Sequence, residues 1–261
     1  MTGGLTWATL RQQRALLAAG LAVIAALTVA DGRYDASAAG GLFGYGGDYA
    51  YPSYFLPLIL GLFLAAPLLA REQQRGTVDL AYTQSVPRAR WLAATVAPLL
   101  VTAVVAPIAV LGGLRAIGDP LDFFGQDQAF GQGPSIVGVT LFIVVSGLLA
   151  GAVLRRVLPA MAVTVAAFYL VPGTVHNAVS DFIPMRHVVV RDEQAATVLF
   201  GNGSLFGPAE TPRADGTVGV SYYSPGRLWL IQWVDFGILA ALAAGLLGVT
   251  FYWMTRRVPR S

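Results

Sequence analysis

The chain contains no cysteine and no lysine. Without thiols there is no disulfide framework, no thiolate nucleophile and no cysteine-ligated metal. Without lysine there is no G-x-x-x-x-G-K-[ST] loop to cradle nucleotide phosphates. All 17 basic residues are therefore arginines, and charged residues of either sign make up only 12% of 261, about half the share usual in a soluble domain. There is also no G-x-S-x-G, no H-E-x-x-H and no pair of carboxylates inside an apolar run. These absences remove the common nucleophilic and zinc hydrolases, and the chain reads as non-catalytic, with no cofactor of its own.

What the chain has in excess is apolar sequence, 56% of residues, with a mean hydropathy of +0.63. A soluble protein of that composition would expose large patches and associate, so lipid is the solvent it suits. Six charge-poor runs occupy 15–30, 54–70, 92–114, 136–154, 157–175 and 228–254. Each approaches or exceeds the ~20 helical residues that cross ~30 Å of hydrocarbon. The expectation is an all-α integral membrane protein of six transmembrane helices, one domain over residues 1–261. Arg11, Arg14 and the run ending in "TVA" before Asp31 also admit a signal peptide. The run is long for that and the cleavage site poor, so an uncleaved first span is preferred.

Charge assigns the sides. Six spans put both termini on one face, and that face collects eleven arginines (Arg11, Arg14, Arg71, Arg75, Arg88, Arg90, Arg155, Arg156, Arg256, Arg257 and Arg260) against Glu72 and Asp79. The opposite face has six arginines against eleven acids. The positive-inside rule then places both termini in the cytoplasm, with the plasma membrane as the location. The net charge of +3 is a topology signal and not a footprint for nucleic acid.

Prolines interrupt the spans at Pro57, Pro67, Pro98, Pro107, Pro159 and Pro172, and small residues recur at Gly147 and Gly151 and at Gly237, Ala241 and Gly245. Such spacing allows close helix packing, expected here within the chain rather than between copies. Of the outer loops, 176–227 is long enough to hold structure, and short interfacial helices are expected for part of it. His176 and His187 fall in this loop without a carboxylate at helical spacing and read as solvated histidines, not metal ligands. Asp235 is the single ionisable residue inside a span, about 9 Å into the helix counted from Trp229. Pairing with Arg227 is the preferred reading, and a polar site on a substrate or ion path the alternative.

Residues 71–91, "REQQRGTVDLAYTQSVPRARW", concentrate the scarce charge. Gly76 offers a break and Thr77 a helix N-cap. Asp79 then sits in the first turn, where the helix dipole favours an acid. Val78, Ala81, Tyr82 and Ser85 follow at helical spacing, and Pro87 ends the segment. Arg88 and Arg90 anchor the next span at the lipid headgroups. A helix of two turns is marginal alone in water and calls for a docking partner.

The stretch "PLLAREQQRGTVDLAYTQSVPRARWLAATV" resembles the loop after the second span of type 2 ABC-transporter permeases, particularly actinobacterial ones. The shared pattern, A-R-E-x-x-x-G-T-x-x-L-A-x-T-Q-S-V-x-R-x-R-W, is matched at Ala70, Arg71, Glu72, Gly76, Thr77, Leu80, Ala81, Thr83, Gln84, Ser85, Val86, Arg88, Arg90 and Trp91. Six spans and a long outer insertion before the last one agree with that layout, although "LTWATLRQQR" is not the cleanly amphipathic segment such permeases begin with. The resemblance implies a permease that forms its membrane pathway with a second permease subunit and docks a separate ATPase, which binds ATP and magnesium. The coupling loop would comprise Glu72, Gly76, Thr77, Asp79, Leu80, Tyr82, Gln84, Pro87 and Arg88. Export of an amphipathic small molecule or peptide is the expected activity, with the second and fifth spans and Pro57, Pro67 and Pro172 lining the path. The competing reading is a motor-independent carrier, or a scaffold or sensor.

Overall fold

Five of the apolar runs become helices long enough to span a bilayer among the residues that the computed structural model describes. These residues are 52–74, 87–116, 133–190, 217–223 and 225–257, with the isolated helical positions Ala22 and Ala26. Apart from those two positions, the expected first span lies outside the described residues. In chain order the helices are α1 (Leu56–Gln74), α2 (Arg88–Ala116), α3 (Pro134–Leu154), α4 (Val157–Phe182) and α5 (Pro225–Tyr252), the last continued by a π-helical turn, Trp253–Arg257.

The helix α3 is the axle of the bundle. Its 21 residues rise about 31 Å, and 72% of its apolar window is buried inside the chain, against 22% for α4 and α5. Pro134 starts it at the first helical position, where a missing N–H costs nothing. Leu148, Val144 and Ala152 pack with Leu56, Leu60 and Leu69 of α1 and with Leu92 and Val96 of α2. Ile143 and Val139 pack with Phe168 of α4 and Leu239 of α5.

Gly147 and Gly151 belong to the close crossing of α3 with α1. A methyl group at Gly151 would lie 2.6 Å from the Ala66 carbonyl oxygen, and one at Gly147 would lie 3.0 Å from that of Gly61. This stripe packs within the chain, as its spacing led us to expect. Among the described residues the stripe on α5 is not packed in this way, as methyls at Gly237 and Gly245 would meet none of them within 4 Å. Gly151→Ala is expected to destabilise the protein by about 1–3 kcal/mol through overpacking. Gly112→Ala, at an open site on α2, should be neutral or stabilising by about 0.5–1 kcal/mol. Thermal unfolding of the purified variants in detergent tests the ordering.

Within α1, residues Leu60–Ala65 are π-helical, and the Ala66 N–H reaches back to the Gly61 carbonyl. The wider turn sits just before Pro67, which has no N–H to give. Pro57, Pro67 and Pro172 are all buried within the chain. Among the described residues, α1 and α4 leave Phe63, Val163, Tyr169 and Leu170 exposed. Threonines inside the spans return their hydroxyls to the carbonyl four residues back, as Thr140 does to Ile136 and Thr164 to Ala160.

Between α3 and α4 only Arg155 and Arg156 intervene. Arg155 takes the left-handed conformation, φ 54°, that closes the helix end, and its N–H bonds to the Gly151 carbonyl.

The described fold is helical but for one strand pair, which corrects the expectation of short interfacial helices in the segment after α4. Where interfacial helices were expected, β1 (Arg186–Val190) pairs antiparallel with β2 (Val218–Tyr222), with Val188 opposite Val220. The run of β-branched valines explains the choice of strand. Two strands alone are marginal in water, and these are held by an apolar cluster at their base. It joins Val179, Ile183 and Met185 to Tyr223, Leu228 and Ile231.

Candidate functional sites at the two ends of the bundle

The arginine-rich end comes first. The last turn of α1 carries Arg71 and Glu72, and α2 opens at Arg88. Pro87 is exposed, and its carbonyl accepts from the N–H groups of Arg90 at 2.9 Å and Trp91 at 3.1 Å, so it serves as the cap of α2. Gly76, Thr77, Asp79, Leu80, Tyr82 and Gln84 lie outside the described residues. The structure brings to this same end Arg155 and Arg156, which join α3 to α4, and Arg256, whose guanidinium lies 5.6 Å from the Tyr252 ring. One contact was not foreseen. The Gln73 side chain donates to the Ala152 carbonyl at 2.9 Å and to Met254 Sδ at 3.4 Å. Its only sequence signal was a polar residue one position before the end of an apolar helix.

At the opposite end the structure gathers polar groups that were read as separate. The helix α4 continues seven residues beyond the expected 175, because no breaker occurs before Ile183 and Pro184. His176 is thus a helical residue and not a solvated loop histidine. Its Nδ1–H donates to Asp235 Oδ2 at 2.8 Å. Asp235 is 1% exposed, so the expected pairing with Arg227 is also corrected. Arg227 instead donates to the Pro184 carbonyl. His187 bonds the Ser221 hydroxyl at 2.7 Å, its register partner across the strand pair.

Gln232 stands one turn from Asp235 on α5 and is likewise buried. Neither Gln232 Oε1 nor Asp235 Oδ1 has a hydrogen-bond partner among the described residues. Gly133 caps α3 with φ +116°, and any side chain there would run into the Gln232 amide. The start of α3, the end of α4 and the first half of α5 thus close around an imidazole–carboxylate pair with two spare acceptor oxygens. The hydrogen bond between His176 and Asp235 ties α4 to α5. Among the described residues, no three His, Cys, Asp or Glu converge on a metal position.

Above this pair, Tyr223 donates its hydroxyl to the Ser180 carbonyl at 3.0 Å. Burial, and then the charge of Asp181, push the Tyr223 pKa above 10.0. A raised folded-state pKa contributes stability below the unfolded value that is lost as pH rises through the folded one. The melting temperature should therefore begin to fall above about pH 10. In Tyr223→Phe this alkaline component should be smaller, at the cost of one hydrogen bond. An alkaline series of thermal melts tests this.

A family model described as "ABC-2 membrane transporter related" matches residues 45–180, just over half of the chain and everything from before α1 into the end of α4. No curated protein and no solved structure matches it.

Proposed function

Because the chain belongs to the ABC-2 membrane transporter related family, we propose that it is the permease subunit of an ATP-driven exporter. On this reading it pairs with a second permease and docks a separate ATPase through the loop between α1 and α2. The family match carries the reading, since it spans that loop together with the helices that launch and receive it. The lysine-free sequence agrees, since these 261 residues contain no G-x-x-x-x-G-K-[ST] loop, and ATP and magnesium would bind the ATPase. The cargo would be an amphipathic small molecule or peptide. The pathway would lie between two permeases in the plasma membrane. The exposed small-residue stripe of α5, Gly237, Ala241, Gly245 and Gly248, supports a paired state, since close approach there is not used within the described chain.

The direct test is affinity purification of the permease co-expressed with an ABC-type ATPase from the same genome. Co-purification with vanadate-sensitive hydrolysis is expected, and a permease that emerges alone would sink the proposal. Sidedness is tested in the cysteine-free background. Ser37→Cys and Ser204→Cys should react with an impermeant thiol reagent in intact cells, and Ser261→Cys should not. Labelling of the last from outside would overturn the cytoplasmic termini. One observation favours a second reading, a motor-independent proton-linked carrier: the buried His176–Asp235 pair. Transport by proteoliposomes without ATPase would select it.

A further inference from the structure

The last turn of α1 is where the docking loop leaves the bundle, and Gln73 lies one residue from its end. The Gln73 amide has two N–H groups, and its nitrogen reaches two acceptors. One is the Ala152 carbonyl, in the last turn of α3, where carbonyls have no partner inside the helix. The other is Met254 Sδ, in the π-helical turn that ends α5. Both targets are buried, Ala152 at 0% and Met254 at 1% exposure. Beneath the amide, Leu69 of α1, Leu92 of α2 and Leu148 of α3 pack in one cluster with Ala152 and Met254. The contacts span 79 and 181 residues of sequence.

We propose that Gln73 is a positioning residue for transport, the clamp by which movement of the docking loop passes to the ends of α3 and α5 as well as to α1. The proposal rests on the permease reading above. The physical argument is one of connectivity. A push on the loop reaches the membrane first through α1, and α1 touches the π turn of α5 through the Gln73 amide. Rigid α3, fixed to α1 at Gly147 and Gly151, would carry motion of that end along its length. The π turn is a wider, less regular coil, and such turns recur where helices must adjust. A donor is required at position 73, because both contacts are accepted by their partners.

The test uses the permease–ATPase complex in lipid nanodiscs, with a single cysteine as probe. At Thr255→Cys, on the π turn, the rate of alkylation by a maleimide is compared with and without ATP and vanadate. Ala89→Cys, at the start of α2, is the companion probe. With Gln73 intact, the trapped nucleotide should change the rate at both positions. In Gln73→Leu and Gln73→Glu, which cannot donate, the ratio at Thr255→Cys should fall to about one while that at Ala89→Cys and the amount of bound ATPase persist. Gln73→Lys restores a donor and should restore the ratio. Should the Leu and Glu variants respond as the parent does at both probes, the clamp is refuted. Loss of ATPase from them would refute it too, by making Gln73 a docking residue. A parent complex that fails to form refutes the permease reading instead.

Discussion

Gly76→Pro, or Asp79→Arg combined with Tyr82→Ala, is expected to release the ATPase from the purified permease while leaving its membrane insertion intact. On the permease reading, a helix of two turns would be marginal alone in water and would depend on the ATPase surface on which it docks. Proline beside Thr77, the N-cap expected from the sequence, would disturb the entry of the chain into that helix. The double variant instead reverses a charge that suits the first turn and removes the largest side chain. Loss of a central aromatic at an interface costs about 2 kcal/mol or more, some thirtyfold in affinity. Pull-down at fixed detergent and salt should show that loss, together with reduced ATPase activity of the complex. Thr217→Ala, beside β2, should change neither. Full association of the loop variants would reduce the loop to a basic connector.

The second large effect is expected at the other end of the bundle, where His176→Ala should be much more damaging than Asp235→Asn. Removing the imidazole leaves the Asp235 carboxylate buried without its donor, and stranding one member of a buried pair costs about 3–5 kcal/mol. Asparagine removes the charge but keeps an oxygen to accept the His176 N–H, so a loss on the order of 1 kcal/mol is expected. Melting temperatures of the two variants decide the order. Transport adds a separate reading: Asp235→Asn should leave it largely intact. A folded Asp235→Asn protein that has lost transport would make the pair part of the pathway.

The two ends differed in how well the sequence disclosed them. Apolar length located five described helices, because lipid imposes a minimum run that chance rarely supplies. The Gly147–Gly151 crossing was also legible, as small residues one turn apart have few other uses in a span. His176 was misread because hydropathy ends a helix where the residues turn polar, whereas the backbone ends it at Ile183 and Pro184. Once α4 was cut short, Asp235 had no visible partner but Arg227. Gln73 and Gln232 were invisible for a related reason. Their meaning lies in partners from 79 to 181 residues away for Gln73, and in the start of another helix for Gln232. The strand pair escaped because its halves are separated by a long segment of turn-forming residues.

The enclosure of α3 also has a consequence for biogenesis. This helix reaches the membrane before the helix that seals its Gly138 face. A methyl at Gly138 would sit 2.9 Å from the Phe236 backbone, so α5 fits that surface closely. Until α5 emerges, α3 can only present this surface to lipid or to the insertion machinery. Among the described helices, α5 therefore completes the packing around α3 last. Termination before α5 would leave the Gly138 face of α3 uncovered and His176 without its carboxylate.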